Sequence, residues 1–238
     1  MKYRNTTNGV FISRPNRFIA EVKIDGESKI CHVKNTGRCR ELLLPGTKVI
    51  VEKSDNPERK TEYDLIAVYK GENLINIDSQ APNKVFGEWV AEGNYFPNLT
   101  FIKPECSYKN SRFDFYLEAD GRKIFTEVKG VTLESEGVVL FPDAPTERGV
   151  KHINELMEAV DEGYDAYVFF VIQMKKCRYF TPNRSTHPEF ADALISANKK
   201  GVKIRAVTCD VSEDSLEING FADIRLQSVY DNIRPRQK

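Results

Sequence analysis

The residues best suited to chemistry lie in residues 124–130, IFTEVKG. Alternate residues of a strand share a face, so Glu127 and Lys129 point the same way at the end of an otherwise apolar run. Upstream, Asp114 lies in SRFDFYLEA, and the Asp-Gly pair at 120–121 predicts a hairpin turn between these two strands. A two-residue turn there places Asp114 opposite Glu127, on one face. The sequence therefore predicts that two acids and one base converge on a single patch.

Two carboxylates opposed across a strand pair repel each other, and a divalent cation relieves that repulsion. Oxygen ligands suit Mg²⁺ or Mn²⁺, and Mg²⁺ keeps several waters and takes phosphate oxygens as further ligands. We therefore assign Asp114 and Glu127 as metal ligands and catalytic residues. Lys129 would orient the attacking water or stabilise the charge that builds on a phosphate. Glu88, on a predicted helix, is a candidate third carboxylate.

Acid–base pairs two residues apart also occur by chance on ordinary solvated strand faces, so the neighbours of these acids matter. Phe113, Phe115, Phe125 and Val128 flank them, where a solvated face would more often carry Thr or Lys. This apolar setting favours a metal site over a solvated face.

A later helix carries further polar residues on one stripe. Arg148, His152 and Glu155 follow each other at i, i+4 and i+7. Arg148 is suited to grip a phosphate with two hydrogen bonds, and His152 to move a proton. The alternative is a solvated helix face held by i,i+4 ion pairs. Asp143 fits two roles equally, the N-cap of this helix or a ligand.

The elements that must position these residues alternate between helices and strands from residue 81 onward. A helical pattern over APNKVFGEWVAEG precedes strands over TFIKPECSY, SRFDFYLEA and KIFTEVKGVTL, and then comes the long helix that ends at Gly163. AYVFFVIQM is apolar without alternation, as a central strand covered on both faces would be. A helix and a strand follow. We predict an α/β domain with a mixed central sheet over residues 81–238.

The first eighty residues read instead as short strands separated by turn signals, and they predict a small OB-like β-barrel over residues 1–80. Arg14, Arg17 and Arg38 lie at the predicted strand ends and turns, near Phe11 and Phe18. Such cations and aromatic rings could form a nucleic-acid-binding groove, where phosphate contacts and base stacking combine. Scattered surface cations around a small core are the equal alternative.

Composition argues against several classes of protein. Thirty-five basic and 35 acidic residues give zero net charge, so the chain does not have the overall positive field of a nucleic-acid coating protein. No window approaches an uncharged apolar membrane span, and the N-terminus has no signal-peptide pattern. The five scattered cysteines form no C-x-x-C pair. We expect a cytoplasmic protein that does not bind membranes.

SRFDFYL, TEVKGVTL and FPDAPTERGVKHINELM resemble the sugar fermentation stimulation protein A (SfsA) family, as does NTGR at 35–38. The resemblance implies an OB-like domain joined to a restriction-endonuclease-like domain of the PD-(D/E)xK nuclease class. Asp114 then matches the first acid, Glu127 the second and Lys129 the lysine, while Glu88 matches the acid on the first helix. Phe113 stands where that class has proline.

We therefore predict a metal-dependent nuclease that hydrolyses phosphodiester bonds of DNA or RNA with Mg²⁺ or Mn²⁺. The barrel would hold the nucleic acid, with Arg148 as a further phosphate contact. The main alternative is a DNA-binding regulator of sugar fermentation genes with a vestigial catalytic site. A metal-dependent hydrolase of small phosphorylated substrates is a third possibility. The pattern does not distinguish DNA from RNA, or predict an oligomeric state.

Overall fold

The chain folds into a β-barrel followed by a mixed sheet with helices on both faces. A computed structural model describes residues 1–35 and 37–227. The first part contains β1 (Thr6–Asn16), β2 (Ile19–Ile24), β3 (Glu27–Val33), β4 (Lys48–Lys53), β5 (Tyr63–Lys70) and β6 (Asn73–Asn76). The second contains α1 (Ala81–Ala91), β7 (Leu99–Tyr108), β8 (Ser111–Ala119), β9 (Arg122–Val131), β10 (Leu133–Ser135), β11 (Val138–Phe141), α2 (Glu147–Asp161), β12 (Asp165–Ile172), β13 (Tyr179–Pro182), α3 (Pro188–Lys200), β14 (Lys203–Val211) and β15 (Leu216–Phe221).

The barrel closes because β3 pairs with β5 in parallel, in addition to the antiparallel pairing of β2 with β1 and β3 and of β4 with β1 and β5. Alternate residues such as Val22, Val49 and Leu65 fill its interior and are fully buried. The turn between β2 and β3 has Asp25 at φ 50° and Gly26 at φ 86°, the left-handed pair that a tight hairpin requires. The predicted OB-like barrel is confirmed.

The second sheet has the strand order β15-β14-β12-β9-β8-β7, in which β9, β12 and β14 run parallel and the outer strands antiparallel. Strand β12 is buried on both faces, as its continuous apolar run predicts. Phe170 packs in the core shared with α2 and α3, and Phe169 packs with Phe86 of α1. The mixed α/β sheet is confirmed, and β9 lies at its centre.

Helix α2 begins later than the sequence indicated. Its N-cap is Thr146, whose hydroxyl accepts a hydrogen bond from the Gly149 backbone N–H at 3.0 Å. Asp143 lies in the preceding loop, so the expectation that it caps this helix is wrong. Thr146 takes the cap because its hydroxyl reaches the third helical N–H, and the glycine there leaves room for it.

Buried polar contacts join the barrel to the second sheet where β6 leads into α1. Gln173, just beyond β12, donates to Asn76 Oδ1 at 2.8 Å and to the Asp78 carbonyl at 3.0 Å. Asn76 in turn donates to the Tyr3 hydroxyl at 2.8 Å. Met1 also contacts β15, since its ammonium donates to the Leu216 carbonyl. The two parts are therefore packed together, and independent domains with limits 1–80 and 81–238 remain a prediction; residues 228–238 lie outside the described part of the chain.

Within the described residues, no helix is long and apolar enough to cross a membrane. The five cysteines are free thiols, and three of them are buried. Cytoplasmic localisation stays a prediction.

Candidate active site

The hairpin of β8 and β9 has the register that the sequence predicts. Phe115 pairs with Thr126, and the ladder runs regularly to Ala119 and Arg122 around the Asp-Gly turn. Asp120 and Gly121 adopt φ 51° and 72°, as a two-residue hairpin turn demands. The ladder stops one residue before Asp114 and Glu127 would pair.

Strand β8 is irregular at Asp114. In a regular strand Phe113 and Phe115 would share a face. Instead the Phe113 ring packs 5.2 Å from Phe125, on the α2 side of the sheet, and the Phe115 ring packs 5.2 Å from Phe86 of α1, on the other side. Such interruptions re-aim a side chain, and here the strands separate at an acid.

The freed Asp114 carboxylate is held by two donors. Its Oδ2 accepts the Val128 backbone N–H at 2.7 Å, and its Oδ1 accepts the side-chain amide of Asn83 at 2.8 Å. Asp114 therefore contacts the end of β9 through one hydrogen bond from the Val128 backbone rather than by direct opposition to Glu127. Asn83, in the first turn of α1, was missed from sequence because an amide at a helix start carries no signal of its partner.

Glu127 is buried, with 2% of its surface exposed. Its Oε1 lies 2.5 Å from Lys129 Nζ and 2.5 Å from His152 Nδ1. Its Oε2 is buried without a hydrogen-bond partner among the described residues. The predicted acid–base pair on one strand face is therefore in contact, and one carboxylate oxygen remains for another ligand.

The two carboxyls have opposite pKa shifts. Burial, and then the charge of Glu127, raises the pKa of Asp114. Burial also acts to raise the pKa of Glu127, but the hydrogen bond from His152 and the charge of Lys129 outweigh it and lower that pKa. Folding therefore favours the ionised form of Glu127 and disfavours the ionised form of Asp114.

Helix α2 contributes two further residues beside Glu127. His152 is 4% exposed, and its Nε2 lies 3.3 Å from Nε of Arg148, one helical turn earlier. Arg148 is otherwise exposed at the start of the helix. Arg148 and His152, the first two residues of the predicted helical stripe, therefore lie at the site. His152 is buried against Glu127 and does not lie on a solvated helix face.

Glu88 lies elsewhere. Its carboxylate forms an ion pair with the Met1 ammonium at 2.8 Å, next to the start of β15. Strands β15 and β8 are at opposite sides of the sheet, so this face of α1 points away from Asp114. The third carboxylate expected from Glu88 is not brought to the site; Asn83 is the residue of α1 that contacts Asp114.

The three barrel arginines divide into one structural and two exposed side chains. Arg14 Nη1 donates to the carbonyls of Gly37 and Arg38 at 2.9 and 2.8 Å, and its Nη2 donates to those of Arg17 and Asn35 at 2.7 Å each. Arg17 is exposed, with its guanidinium 4.8 Å from the Phe18 ring centroid, and the Arg38 side chain is also exposed. The terminal nitrogens of Arg14 are thus committed to shaping the 35–38 loop, of which Thr36 lies outside the described residues.

Because Arg14 is bonded to loop carbonyls and Arg38 is exposed, we expect their substitutions to affect protein stability differently. Arg14→Met should lower the free energy of unfolding by about 2 kcal/mol or more, because carbonyls lose charged donors. Arg38→Met, the exposed control, should change it by no more than about 0.5 kcal/mol. Urea unfolding checks both. An Arg14 variant of unchanged stability but weakened nucleic-acid binding would instead support the role predicted from sequence.

A cleft of about 180 Å³ separates the barrel loop from the end of β9. Asn35 and Gly37 of the barrel loop, Gly130 of β9 and Asp143 are among the residues that line it. A Cβ on Gly130 would lie 2.5 Å from Gln173 Oε1 and 2.7 Å from Pro82 Cγ, so a larger residue after Lys129 would force these neighbours to shift. The cleft connects the barrel to the strand that carries Lys129.

Asp114 and Glu127 fit a hard cation. They supply carboxylate oxygens, one of them buried and unpartnered. Across residues 1–35 and 37–227, no group of three or more His, Cys, Asp or Glu side chains is arranged to hold a metal. Two carboxylates with waters and substrate phosphates are the set that Mg²⁺ commonly uses.

Asp114→Asn should stabilise the metal-free protein at neutral pH, by up to about 1 kcal/mol for removal of one of two like charges. A carboxyl whose pKa is raised on folding destabilises when ionised, so this gain should shrink as pH falls through the raised pKa. Added Mn²⁺ should raise the melting temperature of the parent protein and not of the variant. Thermal melts with EDTA or Mn²⁺ measure both effects; an equal Mn²⁺ shift in the two proteins would contradict the site.

Comparison with protein families matches both parts of the chain. The SfsA N-terminal OB domain matches residues 12–77. The sugar fermentation stimulation protein RE domain matches residues 80–215. The chain belongs to the SfsA family. The resemblance noted in the sequence is thereby confirmed.

SfsA relatives align with nearly the whole chain. The sugar fermentation stimulation protein homologue of Desulfitobacterium hafniense strain Y51 is 64% identical over 226 residues, 95% of this chain and 99% of the relative. The homologue of Clostridium beijerinckii is 59% identical over 226 residues, 95% and 100% of the two chains. The structure of SfsA from Pyrococcus furiosus, in complex with Ca²⁺, matches with a TM-score of 0.82 and 26% identity, covering 94% of this chain and 98% of that one.

Proposed function

We propose that the chain is a metal-dependent nuclease that hydrolyses phosphodiester bonds of DNA, RNA or both. The observation that carries the proposal is Glu127, with one oxygen held by Lys129 and His152 and the other buried without a partner among the described residues. A buried unpaired carboxylate oxygen beside a second acid is costly unless a cation neutralises the pair. The adjacent lysine adds the positive charge that phosphate chemistry needs.

Asp114 and Glu127 would hold Mg²⁺ or Mn²⁺. A metal bound there would polarise a phosphoryl oxygen and lower the pKa of a bound water. The P. furiosus relative, whose structure contains Ca²⁺, supports this assignment because Ca²⁺ and Mg²⁺ both take oxygen ligands.

Lys129 and Arg148 would bind the phosphates and stabilise the charge that develops during cleavage. Lys129 would stabilise negative charge on the phosphate as the transition state forms, or orient the attacking water. Its side chain is only 18% exposed, so its charge is less screened than that of a surface lysine. Arg148, exposed beside His152, would hold a neighbouring phosphate through its Nη groups.

The barrel would hold the nucleic acid. Arg17 and Phe18 present a cation and an exposed ring side by side, a pairing suited to a phosphate and a stacked base. Arg38 lies on the loop that lines the cleft leading to β9. The loop and the end of β9 both border this cleft, so a nucleic acid bound along the loop would lie close to the strand that carries Lys129.

Labelled single- and double-stranded DNA and RNA, incubated with the protein and Mg²⁺, Mn²⁺ or EDTA, test the proposal. We expect cleavage of at least one substrate with metal and none with EDTA. Binding without cleavage of any substrate would favour the alternative, a DNA-binding regulator with a vestigial site. Cleavage of small phosphodiesters alone would favour the small-substrate hydrolase.

A further inference from the structure

We propose that His152 is a positioning residue, which holds Glu127 so that its Oε2 stays available as a metal ligand, and that Arg148 sets the tautomer in which His152 does so. The inference rests on the proposed metal site at Asp114 and Glu127. It assigns a role to a buried histidine that does not itself contact the reacting atoms.

The tautomer follows from donor and acceptor chemistry. The Nε of Arg148 carries a hydrogen and cannot accept one, so His152 Nε2, at 3.3 Å, must be the acceptor. The imidazole proton then lies on Nδ1, which donates to Glu127 Oε1 at 2.5 Å. Lys129 Nζ, 2.5 Å from the same oxygen, places a positive charge beside the carboxylate.

The packing around His152 also restricts the orientation of its imidazole ring. His152 is 4% exposed, and its ring stands edge-on to Phe113, with centroids 6.2 Å apart and an interplanar angle of 83°. A side chain enclosed in this way has little freedom to rotate. Phe113 directly precedes Asp114, so the same packing supports both acids.

The consequence is a carboxylate with one occupied and one available oxygen. Lys129 and His152 both contact Oε1, and Oε2 lies buried without a partner among the described residues. Without the hydrogen bond from His152, Glu127 could turn its free oxygen toward Lys129 and away from the metal. Loss of a residue that orients a metal ligand typically weakens metal affinity by about tenfold to a hundredfold.

A pair of variants separates positioning from simple packing. His152→Asn keeps an N–H donor close to the place of Nδ1, whereas His152→Leu fills the space without a donor. We expect His152→Leu to bind Mn²⁺ about tenfold to a hundredfold more weakly than the parent protein, and His152→Asn to retain most of the affinity. Calorimetric Mn²⁺ titrations without nucleic acid give both values, with circular dichroism checking that each variant is folded. Arg148→Met should cause a smaller loss in the same direction, because the tautomer is no longer imposed.

Two results would overturn the inference. If folded His152→Leu binds Mn²⁺ as tightly as the parent protein, His152 does not position Glu127. If the Asn and Leu variants lose affinity equally, packing rather than the donor matters. Asp114→Asn serves as the reference for the site: equal affinity in that variant and the parent protein would overturn the metal site itself. A parent protein that binds more tightly than Asp114→Asn, together with an unaffected His152→Leu, would overturn only the role of His152.

Discussion

Replacing Lys129 with alanine should reduce single-turnover cleavage by about a hundredfold or more, the scale of losing one preorganised electrostatic contact. The lysine contacts Glu127 Oε1 at 2.5 Å and is 18% exposed, so its charge acts inside a largely water-excluded site. Because it acts on charge that develops in the transition state, the variant should bind nucleic acid almost as tightly as the parent protein. Single-turnover cleavage and filter binding on the same preparations measure the two effects.

Lys123→Ala is the matched control, since Lys123 lies on the same strand but is exposed and pairs with Glu118 at the far end of the hairpin. It should cleave at the parent rate. If Lys129→Ala and Lys123→Ala cleave equally fast, above the EDTA background, Lys129 has no part in catalysis. A large loss of nucleic-acid affinity in Lys129→Ala would show instead that its charge acts in ground-state binding.

Glu127→Gln should abolish metal-dependent cleavage and weaken Mn²⁺ binding by more than about a hundredfold, beyond the cost of altering a residue that only orients a ligand. The amide keeps the shape of the carboxylate and can still accept from Lys129 and His152. The loss would therefore come from the missing charge rather than from a collapsed site. Calorimetry with Mn²⁺ and single-turnover cleavage provide the measurements.

Glu88→Gln is the control for this variant, since the same change is made on a carboxylate that pairs with the Met1 ammonium instead. Mn²⁺ affinity and cleavage should both stay at the parent values. Loss of Mn²⁺ binding in Glu88→Gln, with Glu127→Gln unaffected, would reverse the assignment made from the geometry.

The β8–β9 hairpin shows how much of the site local sequence determines. An Asp-Gly turn admits one register, so the pairing of Phe115 with Thr126 follows from counting residues. The shared face of Glu127 and Lys129 follows from strand periodicity in the same way. The interruption at Asp114 could not be predicted, because it depends on Phe113 and Phe115 packing on opposite sides of the finished sheet.

Residues that depend on docking between elements were harder to assign. Glu88 and Asn83 lie on the same predicted helix, and only the position of α1 on the sheet decides which of them contacts Asp114. Arginine commonly binds phosphate, yet Arg14 of β1 donates to backbone carbonyls of the 35–38 loop. His152 is placed on the correct stripe by helical spacing, but its contact with Glu127 comes from packing α2 against β9.

The barrel illustrates the same distinction. Turn signals predicted its strands and its local hairpins, whereas its closure depends on the long-range pairing of β1 with β4 and of β3 with β5. Its attachment to the second sheet depends on Tyr3, Asn76 and Gln173, which are distant in sequence and carry no shared pattern.

The most direct test of the proposed nuclease activity is gel filtration of the parent protein and of Asp114→Asn in separate runs. Every fraction is then assayed for Mn²⁺-dependent cleavage of labelled DNA and RNA. Asp114 contacts the end of β9 and is one of the two proposed metal ligands, and asparagine preserves its size. We predict that cleavage follows the protein peak of the parent, disappears with EDTA, and is absent from the folded variant. Cleavage of equal strength in the Asp114→Asn peak, or no cleavage in the parent peak with any substrate, would contradict the account.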